Sequence, residues 1–281
     1  ITPAMVPIIK KLLKEENYLE NNVFGLIRAN NTRILKEFLN KSKRSNELVK
    51  ARSPDGHTPL SLAAEIGFYK SFKILMAHGA QINQTNKKGE TTTFFIAKSS
   101  QLSKKQMTKT LKELNVGSNN LCIRDNNGWT CIIHANEHNN FKFIKWVASH
   151  SPESFLIKDN EGRVISHFAC IHDNPTILQL LYKLKAENKI SKDILSAKDN
   201  DLKNVFHYCI EHHSYGTLKY LISIPKYKYL LKKGDKNGDT PLSYIIQFGN
   251  IKLLNELHND VGLQNFVPWS HFLQPASEEG R

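Results

Sequence analysis

Cysteine and histidine residues supply the side chains in this sequence that metal binding and nucleophilic catalysis would require. Two stretches concentrate them: SHFACIH contains His167, Cys170 and His172, and FHYCIEHH contains Cys209, His212 and His213. Thiolate and imidazole are the usual ligands of zinc. The spacings lack the paired Cys-x-x-Cys or His-x-x-x-His sets of a structural zinc site. We therefore predict no metal site and no cofactor.

Nucleophilic catalysis has one candidate pair, Cys131 and His134, which lie three residues apart on a predicted helix. A third group that would orient the histidine is not evident. A buried free cysteine usually serves as a small hydrophobic residue. The sequence also lacks a P-loop, a dinucleotide-binding glycine motif and an H-E-x-x-H metal motif. It therefore predicts a protein without catalytic residues.

The charge balance of the 281-residue chain favours acidic partners. Lysine and arginine total 39 against 26 acidic residues, which gives a net charge of +13. Such an excess is compatible with a protein surface, an anionic lipid or nucleic acid as partner. No apolar run approaches the roughly 20 residues of a membrane helix. Four widely spaced cysteines are not a disulfide framework, which favours a reducing, cytoplasmic location.

One hexapeptide recurs along the chain and predicts a repeat array. DGHTPL at Asp55 returns as NGDTPL at Asn237, with weaker copies KGETTT, NGWTCI, EGRVIS and DLKNVF between them. The aligned positions are 56, 89, 128, 162, 202 and 238, with spacings of 33, 39, 34, 40 and 36 residues. Repeats of this period bury a continuous apolar layer only when neighbouring units stack.

Each copy carries the local signals of a turn followed by two helices. Glycine accepts the positive φ of a tight turn, Thr58 can cap the next helix, and Pro59 suits its first position. Thr240 and Pro241 repeat this pair. A short helix then runs to Gly67, and a second one, FYKSFKILMAH at 68–78, has an apolar stripe. NIKLLNELH at 250–258 is the corresponding second helix of the last copy.

These units resemble ankyrin repeats. The first copy carries the family pattern in DGHTPLSLAAEIG followed by HGAQIN, and the last in DKNGDTPLSYIIQFGN. The middle copies depart from it, with Cys131 in place of proline and with Val164 and Asn204 in place of threonine. The pattern is retained by the family's helix histidine (His167, His207), its small packing residue (Ala135, Ala169, replaced by Cys209) and its turn aspartate (Asp125, Asp159, Asp199, Asp235).

The resemblance implies an all-α ankyrin-repeat solenoid of about six repeats with helical caps. We place the array at 53–260, N-terminal capping helices at 1–52, and a C-terminal cap with a disordered tail at 261–281. A helix pair at 23–40 would cover the first repeat with Val23, Leu26, Ile27, Leu35, Phe38 and Leu39. Residues 5–20 form a further predicted helix, and 262–273 a second cap.

The resemblance also indicates where a partner binds, because ankyrin arrays use their turn tips and the ends of their first helices, which line a concave face. The residues after the turn glycine are His57, Glu90, Trp129, Arg163, Lys203 and Asp239. The first helices end in the pairs Glu65-Ile66, Lys98-Ser99, Glu137-His138, Ile171-His172, Glu211-His212 and Gln247-Phe248. We expect Trp129 and Arg163, types enriched at binding hot spots, to project as anchors, with Lys203 giving polarity. We expect His138, His172 and His212, beside Glu137, Ile171 and Glu211, to form a ladder that titrates near neutral pH.

Three basic stretches offer an alternative surface: KSKRSNELVKAR at 41–52, SKKQMTKTLK at 103–112 and PKYKYLLKK at 225–233. The last interleaves Tyr227 and Tyr229 with lysines, as phosphate-binding or base-stacking segments do. The first hypothesis is nevertheless a non-catalytic scaffold or adaptor that binds a protein partner, with an acidic surface, on the concave face. The alternatives are a recruitment module of a larger enzyme or channel, a pathogen effector placed in host cytoplasm, and an electrostatic binder of nucleic acid or anionic lipid.

Overall fold

The computed structural model describes residues 23–114 and 116–247, and its regular structure there is helical, without a β-strand. Fourteen α-helices follow a helical segment at 23–28: α1 Thr32–Lys41, α2 Ser45–Leu48, α3 Pro59–Ile66, α4 Tyr69–Ala77, α5 Thr92–Lys98, α6 Lys104–Glu113, α7 Ser118–Leu121, α8 Cys131–Glu137, α9 Phe141–His150, α10 Ile165–Ile171, α11 Pro175–Ala186, α12 Val205–Glu211, α13 Tyr215–Ile222 and α14 Pro241–Gln247. Short 3-10 helices occupy Pro152–Leu156, Ile194–Ser196 and Pro225–Lys232.

The chain repeats a turn, a first helix and a second helix, as predicted. Units one to five are complete, with the helix pairs α3–α4, α5–α6, α8–α9, α10–α11 and α12–α13, and α14 is the first helix of unit six. In units three to six the turn opens with an aspartate whose Oδ1 accepts two backbone N–H groups. In unit three, Asp125 Oδ1 accepts from Asn127 and Trp129, both at 2.9 Å. This double acceptor fixes the direction of the residue that follows the turn glycine.

The turn glycines have positive φ, and at Gly56, Gly89, Gly128 and Gly162 the next unit leaves no room for a side chain. Gly162 has a φ of +79°, and a Cβ on it would lie 2.3 Å from the Oδ1 of Asn200. Unit five carries Leu202 at this position, with a φ of 62° and nearly half of the residue exposed. A bulky side chain in this region is strained.

Side chains cap the first helices of units one, four and five, although units four and five have lost the Thr-Pro signal, whereas Thr91 and Thr130 form no side-chain cap in units two and three. In unit one, Thr58 Oγ1 accepts from the Ser61 N–H, and Ser61 Oγ accepts in return from the Thr58 N–H. In unit four, Val164 has no capping oxygen, but the Val164 N–H donates to His167 Nδ1 at 3.0 Å. His207 Nδ1 accepts from the Asn204 N–H in the same way in unit five. A histidine one turn into the helix therefore supplies one of the two hydrogen bonds of a capping box, the one that accepts the N-cap N–H.

Stacked units share one continuous apolar core. The first helices pack on one another, and buried aromatic residues such as Phe94, Phe143 and Phe206 fill the space between the layers. Full burial of one such side chain stabilises the fold by roughly 1.5–3 kcal/mol. Polar links also join the units: Asn140 Nδ2 donates to the carbonyls of Ala97 and Ser99, both at 2.9 Å, which satisfies the end of α5.

The predicted helix pair at 23–40 is present ahead of the first unit. Val23, Ile27, Leu35 and Leu39 are buried, while Leu26 and Phe38 are half-buried, and α1 packs against α4. The predicted helices at 5–20 and 250–258, the cap at 262–273 and the tail lie outside the described residues. The count of six repeats and the domain boundaries therefore stay predictions.

Candidate functional site

The face formed by the turns and the first helices, which is concave in ankyrin arrays, is held together by contacts between units. In each of units one to five, the residue after the turn glycine contacts one residue of the next unit. That contacted residue lies nine positions after the residue that opens the turn of the next unit. The pairs are His57–Phe95 (ring centroids 4.8 Å apart), Glu90–His134 (Oε1 to Nε2, 3.8 Å), Trp129–Phe168 (ring centroids 5.1 Å apart) and Lys203–Tyr244 (Nζ to ring centroid, 5.3 Å). Arg163 and Tyr208, the remaining pair, interact electrostatically. We call this series the inter-unit ladder.

At both ends of the face, the residue after the turn glycine also makes a polar contact of 3.9 Å or less with the residue eight positions later, at the end of its own first helix. We call these contacts clasps. They are His57–Glu65 (3.9 Å), Glu90–Lys98, Lys203–Glu211 (2.9 Å) and Asp239–Gln247 (3.3 Å). The polar groups of units one, two, five and six are therefore largely paired within the chain.

In the described part of the chain, units three and four have no clasp. Trp129 lacks a charge, and its ring packs on Phe168 and on His134. The Arg163 guanidinium pairs with Asp159 and Glu161, both at 2.7 Å, and lies 4.8 Å from the centre of the Phe168 ring. Burial alone would lower the pKa of Arg163, but Asp159 raises it above its usual value. Ile171, which ends α10, is thus left uncovered by a clasp at the centre of the face, whereas Glu137, which ends α8, bonds through Oε2 to His134 Nδ1 at 3.2 Å.

Trp129, Arg163 and Lys203 are less exposed than the sequence led us to expect. Trp129 is half-buried, and the side chains of Arg163 and Lys203 are 15% and 22% exposed. Trp129 packs against Phe168 of the next unit, and Lys203 lies over Tyr244 of the next unit, whereas Arg163 is covered by Asp159, Glu161 and Phe168 of its own unit. Trp129 and Lys203 therefore join units, and Arg163 stabilises its own turn. Their predicted role as partner anchors stays a proposal.

The three histidines that were predicted to line the concave face are exposed to solvent. His138, His172 and His212 each follow the last residue of a first helix and are exposed. The His212 ring lies parallel to that of Tyr208, with centroids 6.1 Å apart. Burial lowers the pKa of His212, Glu211 opposes this, and the charge of His172 lowers it further. The pKa of His212 therefore lies below its usual value.

Glu90, Asp125 and His134 form the group in the described residues whose ligand atoms are close enough to share a metal ion, all within 4.8 Å. Their atoms are already bonded within the chain. Asp125 Oδ2 is 2.9 Å from His134 Nε2, and Glu90 accepts from Lys98 and Asn86. Burial would raise the pKa of Glu90, but these two hydrogen bonds lower it below its usual value.

The same bond recurs in later units without a histidine. The Tyr208 hydroxyl donates to Asp199 Oδ2 at 2.6 Å, and the Tyr244 hydroxyl to Asp235 Oδ2 at 2.9 Å. In each case the donor lies nine residues after the turn aspartate. His134 thus fills a structural position of the repeat, and this group acts as a hydrogen-bond network. Recurrence of aspartate with a ring nine residues later was a sequence signal that the motif analysis missed.

The cysteine and histidine stretches do not assemble a second metal cluster in the described parts of the chain. Cys131, Cys170 and Cys209 are fully buried, and burial raises the pKa of the Cys131 and Cys170 thiols. His167 and His207 cap their helices. These residues lie in the core of the units, as expected from their positions in the repeat.

The three basic stretches lie in different environments. In the first, Arg52 donates to the carbonyls of Gly56 and Thr85 and so stabilises a turn. The second forms α6, with its lysines exposed. In the third, Tyr227 is buried and bonds to Asp193 at 2.9 Å, which removes it from base stacking, whereas Tyr229 is 48% exposed.

Comparisons with known proteins agree with this architecture. A family model of the ankyrin repeat matches residues 55–87, and a model of ankyrin repeats in three copies matches residues 94–193. No curated protein matches the chain. Among solved structures, the ankyrin repeat domain of Bcl-3, described as a unique member of the IkappaB protein family, aligns with a TM-score of 0.62 and 15% identity, covering 79% of this chain and 92% of that chain.

At this identity the likeness to a solved structure establishes the fold alone. None of the helices in the described ranges has the length and apolar character needed to cross a membrane. The family matches, the recurring turn and helix pair, and the shared fold lead to one conclusion: the chain is an ankyrin repeat protein.

Proposed function

We propose that this protein is a non-catalytic adaptor that binds a protein partner at the centre of its concave face. Ankyrin repeats generally mediate protein–protein interactions and are typically non-catalytic. The observation that carries the proposal is the absence of clasps in units three and four. His138 and His172 are exposed there beside the half-buried Ile171, and Glu137 pairs with His134 of its own helix. In the flanking units, by contrast, Glu65, Lys98, Glu211 and Gln247 at the equivalent helix ends form clasps.

This centre offers a mixed surface of the kind that recognises another protein. Ile171 is a half-buried apolar side chain, and the histidines beside it can donate or accept hydrogen bonds. Trp129, Phe168 and Arg163 form a packed layer next to it, which fixes the surface before a partner arrives. Binding to a preorganised surface loses little conformational entropy. We therefore expect affinity to depend on a few side chains, with little movement of the backbone.

The test compares two charge-matched variants. Ile171→Glu with His172→Glu places two carboxylates at the centre, and Ile66→Glu with Gln247→Glu places two at the ends of the same face. Partners captured from cell lysate by the wild type are identified, and one of them is purified. Its affinity for each folded variant is then measured by calorimetry, and circular dichroism verifies the helices.

The proposal predicts that the central variant weakens binding by at least about tenfold, or 1.4 kcal/mol, while the end variant changes it by less than about threefold. A photo-crosslinking residue in place of His138 should also attach to the partner. Equal loss in both variants, or a partner that crosslinks only outside units three and four, would contradict the central site.

A further inference from the structure

A groove lined by lysines lies on the other side of the array, between the second helices of units two, three and four. It has a volume of about 570 Å³ and is bordered by α6, α9 and α11. Its five ammonium groups belong to Lys104, Lys142, Lys145, Lys183 and Lys189. We call it the lysine groove. None of its lining residues belongs to the concave face.

The groove has an apolar floor beneath its charged rim. Trp146, Ala148 and Leu184 line it and are buried, and Leu180 is half-buried. The Trp146 ring stacks on His150, with centroids 4.4 Å apart and an angle of 15° between the planes. The Trp146 indole N–H is buried without an acceptor among the described residues. Apolar area and an unused donor thus accompany the lysines.

The carboxylate of Glu187 shows how the lysines at the rim of the groove pair with an anion. Glu187 is the acidic residue of the lining, and it lies 2.7 Å from Lys189 Nζ and 3.7 Å from Lys183 Nζ. The hydrogen bond from Lys189 lowers the pKa of Glu187 below its usual value. At the opposite side, Lys104 and Lys145 form no ion pair in the part of the chain that the structure describes. Positive charge in excess of its counter-charge therefore faces the groove.

We propose that the lysine groove binds an acidic, partly apolar peptide segment of a protein partner. Its carboxylates pair with the rim as Glu187 does, and its apolar side chains cover the floor. The floor argues against nucleic acid, whose hydrated phosphates would leave it uncovered. A flat anionic lipid surface would likewise meet the rim but not the recessed Leu184. The proposal does not depend on the concave-face site.

The binding experiment uses a labelled synthetic peptide in which Asp and Glu alternate with Leu and Phe. Three comparison probes are the same peptide with Asn and Gln for the acids, oligouridine RNA, and vesicles that contain phosphatidylserine. Anisotropy or co-sedimentation measures binding to the full chain. Lys104→Glu with Lys145→Glu tests the groove, and Lys43→Glu with Lys233→Glu is the control with the same change in net charge at exposed positions elsewhere.

We expect the acidic peptide to bind the wild type and the control variant alike, and the groove variant to bind it about tenfold more weakly. Equal weakening in both variants would overturn the proposal, because net charge would then explain the binding. Binding of the amide peptide at equal strength, preference for RNA or vesicles, or no binding of the acidic peptide would also overturn it. Ile171→Glu with His172→Glu should leave this affinity unchanged, which separates the groove from the concave face.

Discussion

Acidification should destabilise the protein through His167. This residue is fully buried in α10, where its Nδ1 accepts the Val164 N–H at 3.0 Å. Burial lowers the pKa of His167 to about 4, although the carboxylates of Asp199 and Asp159 oppose the shift. The edge of its ring meets the Tyr208 ring, with centroids 5.1 Å apart. Protonation would place a charge in a dry interface between units four and five.

The sign and size of the effect follow from linkage. An unfolded histidine binds a proton below pH of about 6.5, whereas His167 in the folded state stays neutral until about pH 4. Its contribution to stability is therefore complete above pH 6.5 and is lost as the pH falls to 4. The expected loss is about 2 kcal/mol between pH 7 and 5 and about 3 kcal/mol between pH 7 and 4.

The assay is urea unfolding followed by circular dichroism over this pH range, with wild type and His167→Ser compared. Serine is the matched replacement because Ser61 occupies this position in unit one, where its Oγ accepts the Thr58 N–H at 2.9 Å. The variant should be less stable at pH 7, since it leaves a cavity. Between pH 7 and 5 the free energy of unfolding of the variant should fall by about 2 kcal/mol less than that of wild type, and between pH 7 and 4 by about 3 kcal/mol less. The remaining pH dependence should be the same, because the other titrating groups are common to both proteins.

Parallel curves for the two proteins would refute the reasoning. They would mean that His167 gains its proton at the same pH in the folded and unfolded states. A variant that loses more stability on acidification than wild type would refute it as well, since the sign of the linkage would then be reversed.

Two further experiments test the framework. His134→Tyr should keep a hydrogen bond to Asp125, as tyrosines do with the turn aspartate in later units, and its stability in urea unfolding should remain within about 1 kcal/mol of wild type. His134→Ala should lose at least about 2 kcal/mol. Equal losses would show that tyrosine cannot make this bond in unit three. Leu202→Gly should raise stability by up to about 1 kcal/mol by relieving a strained φ. Gly162→Ala should lower it by more than about 1 kcal/mol, because its Cβ would clash with Asn200; unchanged thermal unfolding of either variant would contradict the strain argument.

The local parts of the fold could be predicted from the sequence because their causes are local. A glycine turn, a capping residue and an apolar stripe act within one unit, so the helices after Gly56 and Gly238 were evident. The departures at Val164 and Asn204 did not break the pattern, because histidines one turn later cap the same N–H groups. The lost threonine and the histidine that caps the helix lie in the same unit, so the repeat pattern could still be recognised there.

The candidate sites could not be predicted fully because their contacts join different units. Trp129 looked exposed in its own turn, but Phe168 of the next unit covers part of it. Arg163, by contrast, pairs with Asp159 and Glu161 inside its own turn, so this contact is local. Stacking of units decides how far Trp129 is covered, whereas the clasps within single units decide which helix ends remain open, and Ile171 lies at an end without a clasp.

Unit length explains how one array can carry two separate surfaces. The first helices of units two to six each have 7 residues, whereas the second helices of units one to five vary from 8 to 12. The longest spacings between turn positions, 39 and 40 residues, belong to units two and four.

Those two units flank unit three, and their second helices, α6 and α11, border the lysine groove on either side of α9. In unit four the added length falls partly in α11, which has 12 residues and whose C-terminal end lines the groove, whereas the first helices of units two to six keep the same length. Since the two surfaces share no lining residue, free energies of substitutions on each should add. A partner that occupies one surface should leave the affinity of the other unchanged.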